Sequence, residues 1–122
     1  MYLREYELIF IVRPETDEAA IQQISEKLAA ATEENGGVKL QLVLWGRKRL
    51  AYEIEDFNKG VFYLYGFLGD AATVAGLERA LRFEEVVLRF MTTKISDRVE
   101  VESRKERADA EEAARAAIGA GN

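Results

Sequence analysis

The stretch Trp45-Gly46-Arg47-Lys48-Arg49-Leu50-Ala51-Tyr52 concentrates more chemistry than any other part of the chain: a run of cations flanked by two aromatic rings. Arginine presents a planar fork that matches a phosphate, and Trp or Tyr presents a face on which an unpaired base stacks. In an extended segment Arg47 and Arg49 point to one side and Lys48 to the other, so the cluster reaches around a sheet edge. The same residues also suit a guarded edge strand, whose charges block edge-to-edge aggregation. Other candidates are thinner. The carboxylate pairs Glu33-Glu34, Glu55-Asp56 and Glu84-Glu85 have the right type for proton transfer, but each falls at an element end in polar surroundings and reads as solvated surface. No Gly-rich phosphate loop occurs, and Gly36-Gly37 reads as a helix stop. The chain has no Cys and no His. Disulfides, thiolate nucleophiles, His bases and Cys- or His-ligated metals are thereby excluded. No enzymatic activity, metal, cofactor or small-molecule substrate is expected.

The elements that carry these residues follow from periodicity. Residues 2 to 12 read as a strand, with Tyr6, Leu8, Phe10 and Val12 alternating with Glu7, Ile9 and Ile11. Both sets are largely apolar, so the strand is expected at the centre of a sheet, and Pro14 ends it. Thr16 is the expected N-cap of a helix, with Asp17 and Glu18 suited to its positive end. Ile21, Ile24, Leu28 and Ala31 form the helix stripe, and Asn35-Gly36-Gly37 stops it. A second strand starts at Val38, with Leu40, Leu42 and Leu44 on one face, a bulge at Gly46 and a continuation to Ile54. The cluster 55–60 reads as a turn. Val61 to Leu68 is an aromatic strand. Asp70 caps a second helix with the stripe Val74, Leu77 and Leu81, in which Gly76 costs about 1 kcal/mol against Ala and points to close packing on the sheet. Val86 to Ile95 is a fourth strand.

The order strand, helix, strand, strand, helix, strand predicts an α+β fold, a ferredoxin-like βαββαβ sandwich: a four-stranded antiparallel sheet with two helices on one face. The expected division is a domain over 1–97 and a flexible, Ala/Glu/Arg-rich tail over 98–122, disordered or partly helical until a partner orders it. In the favoured register Val61, Tyr63, Tyr65 and Phe67 lie under the helices. Phe62, Leu64 and Leu68 then lie on the open face. Ile9, Ile11, Phe62 and Leu64 form an apolar patch there, of the kind that marks a protein partner. Lys59-Gly60-Val61-Phe62-Tyr63 partly matches the signature of RNA-recognition-motif strands, with Val61 in the place of the first stacking aromatic.

The chain has 122 residues, 48% hydrophobic and 32% charged, enough for one domain that buries a core. Its apolar runs are too short to span a membrane, and the segment from Met1 to Tyr6 lacks a secretory core, so a cytoplasmic location is expected. Seventeen basic residues against 22 acidic ones give a net charge of −5. The distribution is uneven. Residues 1–38 hold eight acids and three bases, whereas 39–49 hold four bases and no acid. Residues 79–98 hold five bases and three acids. An acidic total with basic segments fits a protein that shows one face to nucleic acid and another to water or protein.

Several stretches carry a resemblance: Tyr6 through Pro14, Trp45 through Ile54, Lys59 through Tyr63, and Leu77 through Arg82 with Val87 through Phe90. They resemble the bacterial small-subunit ribosomal protein six family over roughly residues 2–97, most specifically in the block from Trp45 to Tyr52. The resemblance implies a structural, RNA-binding constituent of the 30S subunit. It further implies binding to the central domain of 16S ribosomal RNA together with small-subunit protein eighteen. A basic partner would explain an acidic protein in a ribosome. The expected RNA-facing set is Arg4, Arg47, Lys48, Arg49, Tyr52, Arg82, Arg89 and Lys94. Glu53 stands where many members have Pro, and the chain ends Ala120-Gly121-Asn122 without the Glu-Glu end that some members carry. The rival readings are a free-standing RNA-recognition-type regulator and a ligand-sensing ferredoxin-like domain.

Overall fold

Alternation along the first strand divides the molecule into two faces. In a computed structural model, which describes residues 1–120 with side chains through 118, β1 spans Tyr2–Val12. Its even-numbered residues Tyr6, Leu8, Phe10 and Val12 are all buried. They join Tyr65 and Phe67 of β3 (Phe57–Gly69) beneath two helices. Those helices are α1 (Glu18–Glu34), which contributes Ile24 and Leu28, and α2 (Ala71–Arg82), which contributes Leu77 and Leu81. Tyr6 stacks on Phe67 and Phe10 on Tyr63, each with ring centroids 5.3 Å apart. With β2 (Val38–Ile54) and β4 (Val87–Glu100), the strands form one antiparallel sheet in the order β2-β3-β1-β4. The α+β sandwich expected from the element order is therefore present, with β1 central.

Local chemistry moves several boundaries. Asp17, not Thr16, caps α1: its Oδ1 accepts from the Ala20 N–H at 2.9 Å. The Thr16 N–H is held by the Arg13 carbonyl in the turn after Pro14, so the helix begins one residue later. Asp70 caps α2 as expected, in a reciprocal pair with Thr73. The β2–β3 connection is only Glu55-Asp56, both at positive φ (50° and 69°), the geometry of a tight two-residue hairpin. The strand resumes at Phe57, so the expected turn over 55–60 is too long. Gly46, at φ 116°, sits at a register shift between Leu44 and Gly46, which is the expected bulge. Gly76 does not pack on the sheet. A Cβ there would collide with Nδ2 of Asn35, which donates to the Ala31 carbonyl at 2.8 Å to close α1. The glycine thus allows the two helices to meet.

The largest departure lies at the C-terminal end. The boundary expected at 97/98 falls inside β4, and where composition predicts a flexible tail, the chain forms α3 (Val101–Ala120). Glu100 caps it, accepting from the backbone N–H groups of Glu102 and Ser103 at 3.1 and 3.0 Å. These bonds hold the Glu100 carboxyl below the usual carboxylate range. Val101 and Ala108 are buried with Leu40 and Leu68, on the sheet face opposite α1 and α2. Between them Arg104 grips Glu5 with two hydrogen bonds, Nε to Oε1 at 2.8 Å and Nη2 to Oε2 at 3.2 Å. A few well-placed residues dock the helix. Gly121 and Asn122 lie outside the described residues.

Candidate functional site

α3 covers only one end of the second sheet face. It lies over Glu5, Leu68 and Leu40, and leaves the other end of β1, with Ile9 and Ile11, beyond it. There the register places Ile9 between Leu64 and Met91, and Ile11 between Phe62 and Arg89. A depression of about 310 Å³ opens at this end, lined by Ile9, Ile11, Phe62, Met91, Trp45 and Tyr52 among others. Trp45, Tyr52 and Met91 are 46, 59 and 60% exposed.

The β2–β3 hairpin builds one wall. Beyond the pair Arg47↔Val61 the hairpin runs past the end of β1 and curls across the sheet. Tyr52 belongs to the edge strand β2 and Arg89 to the opposite edge strand β4. Flat strands would hold these edges about 14 Å apart, three strand spacings. Yet the Arg89 Nη1 donates to the Tyr52 hydroxyl and its guanidinium lies 5.5 Å from the Tyr52 ring centre. Gly60 permits this approach, because a Cβ there would collide with Ile11 Cγ2 and stand 3.2 Å from the Val12 carbonyl. Arg13 secures the arm from below, 3.6 Å from Glu55 and 5.7 Å from the Phe57 ring centre. Arg47 donates to the Pro14 carbonyl at 3.0 Å. On the same hairpin Lys48 lies over Trp45 and Phe62, 4.7 and 5.6 Å from their ring centres.

The structure sorts the residues named from sequence. All eight of the RNA-facing set are exposed. Tyr52 and Arg89 line the bowl, Lys48 lies over its Trp45 and Phe62 rings, and Arg47 and Arg49 are on the same hairpin arm. Arg4 and Lys94 sit near the far end of the sheet, opposite Gly69 and Tyr6. Lys94 is paired with Asp97, whose carboxyl it holds below the usual range. Arg82 ends α2 on the helical side. Of the apolar patch, Ile9, Ile11 and Phe62 form the floor. Leu64 is only 8% exposed, so it supports the floor from within the sheet and offers little surface. Leu68, also expected on the open face, is fully covered, packed in the cluster beneath α3. Met91 belongs to this face and escapes sequence reasoning, found only by the β1–β4 register that pairs it with Ile9, whereas Glu7 lies on the face that its alternation with Ile9 and Ile11 predicts. Lys48, Tyr52 and Arg89 thus join the apolar patch as a cationic, aromatic rim on an apolar floor. Arg47 and Arg49 lie on the outer side of the same arm, and Arg4, Arg82 and Lys94 lie apart from it. Among the described residues no group of His, Cys, Asp or Glu is arranged to hold a metal, and no helix is long and apolar enough to cross a membrane.

Comparison with known proteins gives a consistent result. Residues 5–94 match the family model described as "Ribosomal protein S6". The chain is 36% identical over 95 residues to the small ribosomal subunit protein bS6 of Desulfitobacterium hafniense, covering 78% of this chain and 100% of that protein. It is 33% identical over 113 residues to the protein of the same name from Synechocystis, covering 93% of this chain and 100% of that one. Among solved structures it is similar to the 30S ribosomal protein S6 of Thermotoga maritima, with a TM-score of 0.67 and 25% identity over 89% of this chain and 98% of that one.

Proposed function

This chain belongs to the Ribosomal protein S6 family, structural and non-enzymatic constituents of the small ribosomal subunit, and from that premise we propose that it binds 16S ribosomal RNA in the central domain jointly with a basic protein partner, small-subunit protein eighteen. The observation that carries the proposal is the bowl on the second sheet face. An apolar floor of Ile9, Ile11, Phe62 and Met91 is what a protein side chain fills on docking. The rim cations Lys48 and Arg89, with Arg47 and Arg49 on the outer side of the same hairpin arm and the exposed ring of Tyr52, are what phosphates and unpaired bases meet. Protein and RNA contacts adjoin, so a docked partner and this rim form one continuous RNA-binding surface.

Charge supports joint rather than independent binding. At a net charge of −5, the chain offers few phosphate contacts, and acidic α1 adds repulsion. A basic partner supplies the remainder, and the linked sites bind RNA with positive coupling. The test is calorimetry with the RNA fragment, small-subunit protein eighteen, and the native or Ile11→Glu chain. The expected result is weak RNA binding by this chain alone, tight binding by the pair, and loss of both heterodimer and RNA binding with Ile11→Glu, the fold being retained by circular dichroism. RNA binding by this chain alone as tight as by the pair would refute joint binding and favour a free-standing RNA binder.

A further inference from the structure

The open sheet face already shows how it receives a polypeptide. Where α3 lies on it, Arg104 places its guanidinium on the Glu5 carboxylate while Val101 and Ala108 fill the apolar surface on either side. Both members of that pair are 8% exposed. Two residues along β1 stands a second carboxylate, Glu7. It points to the same face, about 7 Å further on, and borders Ile9 at the edge of the uncovered floor. Glu7 is half-buried, flanked in register by Gly66 and Thr93. Among the described residues its carboxylate has no hydrogen bond and no ion pair. Glu5 and Glu7 repeat one arrangement, of which α3 satisfies only the first.

We infer that Glu7 is the specificity-determining residue of the partner-docking face: it receives an Arg or Lys from a basic protein segment that lays an apolar side chain on Ile9, Ile11, Phe62 and Met91. This inference rests on the reading that a protein docks on this face. Its physical basis is desolvation. A partner covering the floor removes water from the Glu7 carboxylate, and a buried carboxylate without a counter-charge is strongly disfavoured. A neutral or acidic segment of the same shape is therefore rejected, whereas a basic one is accepted. The same carboxylate repels phosphate. Protein thus takes the floor, and RNA is confined to the rim at Lys48 and Arg89 and to the hairpin arm at Arg47 and Arg49.

The experiment compares Glu7→Gln and Ile11→Glu by calorimetry against small-subunit protein eighteen at two salt concentrations, with the RNA fragment as a second titrant. Glu7→Gln keeps the shape and removes only the charge, and an unchanged melting temperature verifies the fold. The expected result is about thirtyfold or more weaker protein binding for Glu7→Gln, in the range measured for truncated buried charge pairs, together with a smaller salt dependence. Scanning the partner's Arg and Lys residues to Ala should find one whose loss costs the native chain this factor and costs the Glu7→Gln chain nothing. Unchanged affinity for Glu7→Gln with abolished binding for Ile11→Glu would overturn the role of Glu7 while leaving protein docking intact. Unchanged affinity for both would overturn the docking reading itself. If Glu7→Gln bound RNA more tightly and the protein equally well, the floor would belong to RNA and the inference would fail.

Discussion

Arg104→Ala tests how α3 is held. Glu5 and Arg104 lie nearly out of water, and breaking such a pair from one side costs about 3–5 kcal/mol, because the remaining charge is buried alone. That cost has a ceiling, since α3 can lift away and let water reach Glu5. Apart from the ion pair, α3 is held mainly by buried Val101 and Ala108, worth about 2 and 0.8 kcal/mol. A solvent-exposed bond from Arg115 to Gln41 at 3.2 Å adds about 0.5 kcal/mol. These terms total roughly 3 kcal/mol, at or below the cost of stranding Glu5. In the variant α3 is therefore expected to undock for much of the time. The whole chain should lose about 3 kcal/mol, equivalent to about 10 °C in melting temperature for a domain of this size. Urea melts measure the loss, and native-state amide exchange locates it: protection should collapse in α3 while β1 and β3 remain slow to exchange. Replacing both partners with Leu removes the stranded charge and should restore stability to within about 1 kcal/mol. A native melting temperature together with native protection of α3 in Arg104→Ala would refute the reasoning, since the ion pair would then not hold the helix.

Further outcomes follow from other contacts. Gly60→Ala drives a methyl into Ile11 and the Val12 carbonyl and should destabilise by about 1–3 kcal/mol, read from thermal melts. It should also loosen the Tyr52–Arg89 contact, seen as sharper Tyr52 NMR signals. Arg47→Ala with Arg49→Ala removes two exposed cations and one exposed hydrogen bond to the Pro14 carbonyl, and should lower the melting temperature by no more than about 2 °C. Filter binding at several salt concentrations should show weaker assembly with RNA and a shallower salt slope, reduced by about 2 if both contact phosphate. The Glu100 carboxyl is lowered by its bonds to the start of α3, so it stabilises that helix at and above the ordinary carboxylate range. The contribution disappears as acidification protonates it. Amide protection in α3 should fall on acidification before that of the β1–β3 pairing, and Glu100→Gln should reduce that pH dependence.

Periodicity and turn chemistry were sufficient for the order of the first six elements and for the core between the sheet and the first two helices. The alternation Tyr6, Leu8, Phe10, Val12 and the helical spacing of Ile24 with Leu28 and of Leu77 with Leu81 are local properties, and each dictates a buried face whatever the rest of the chain does. The basic block from Arg47 to Arg49 and the absence of Cys and His were legible in the same way, because residue type alone decides what chemistry is available. Family resemblance was legible too, being carried by contiguous motifs. Only tertiary structure decided where these pieces meet. Tyr52 reaches Arg89 because the hairpin arm curls over the sheet, and that depends on strand order and on the space at Gly60. Leu64 left the exposed patch because its neighbours Ile9 and Val43 in the sheet surround it. Gly76 answers to Asn35, more than 40 positions away in the chain. The helix at the C-terminal end docks through Val101, Arg104 and Ala108, too few residues to register as an apolar stripe, because a single carboxylate from β1 provides its anchor. In each case the deciding contact joins residues far apart in sequence, and its free energy is set by register and burial rather than by local pattern.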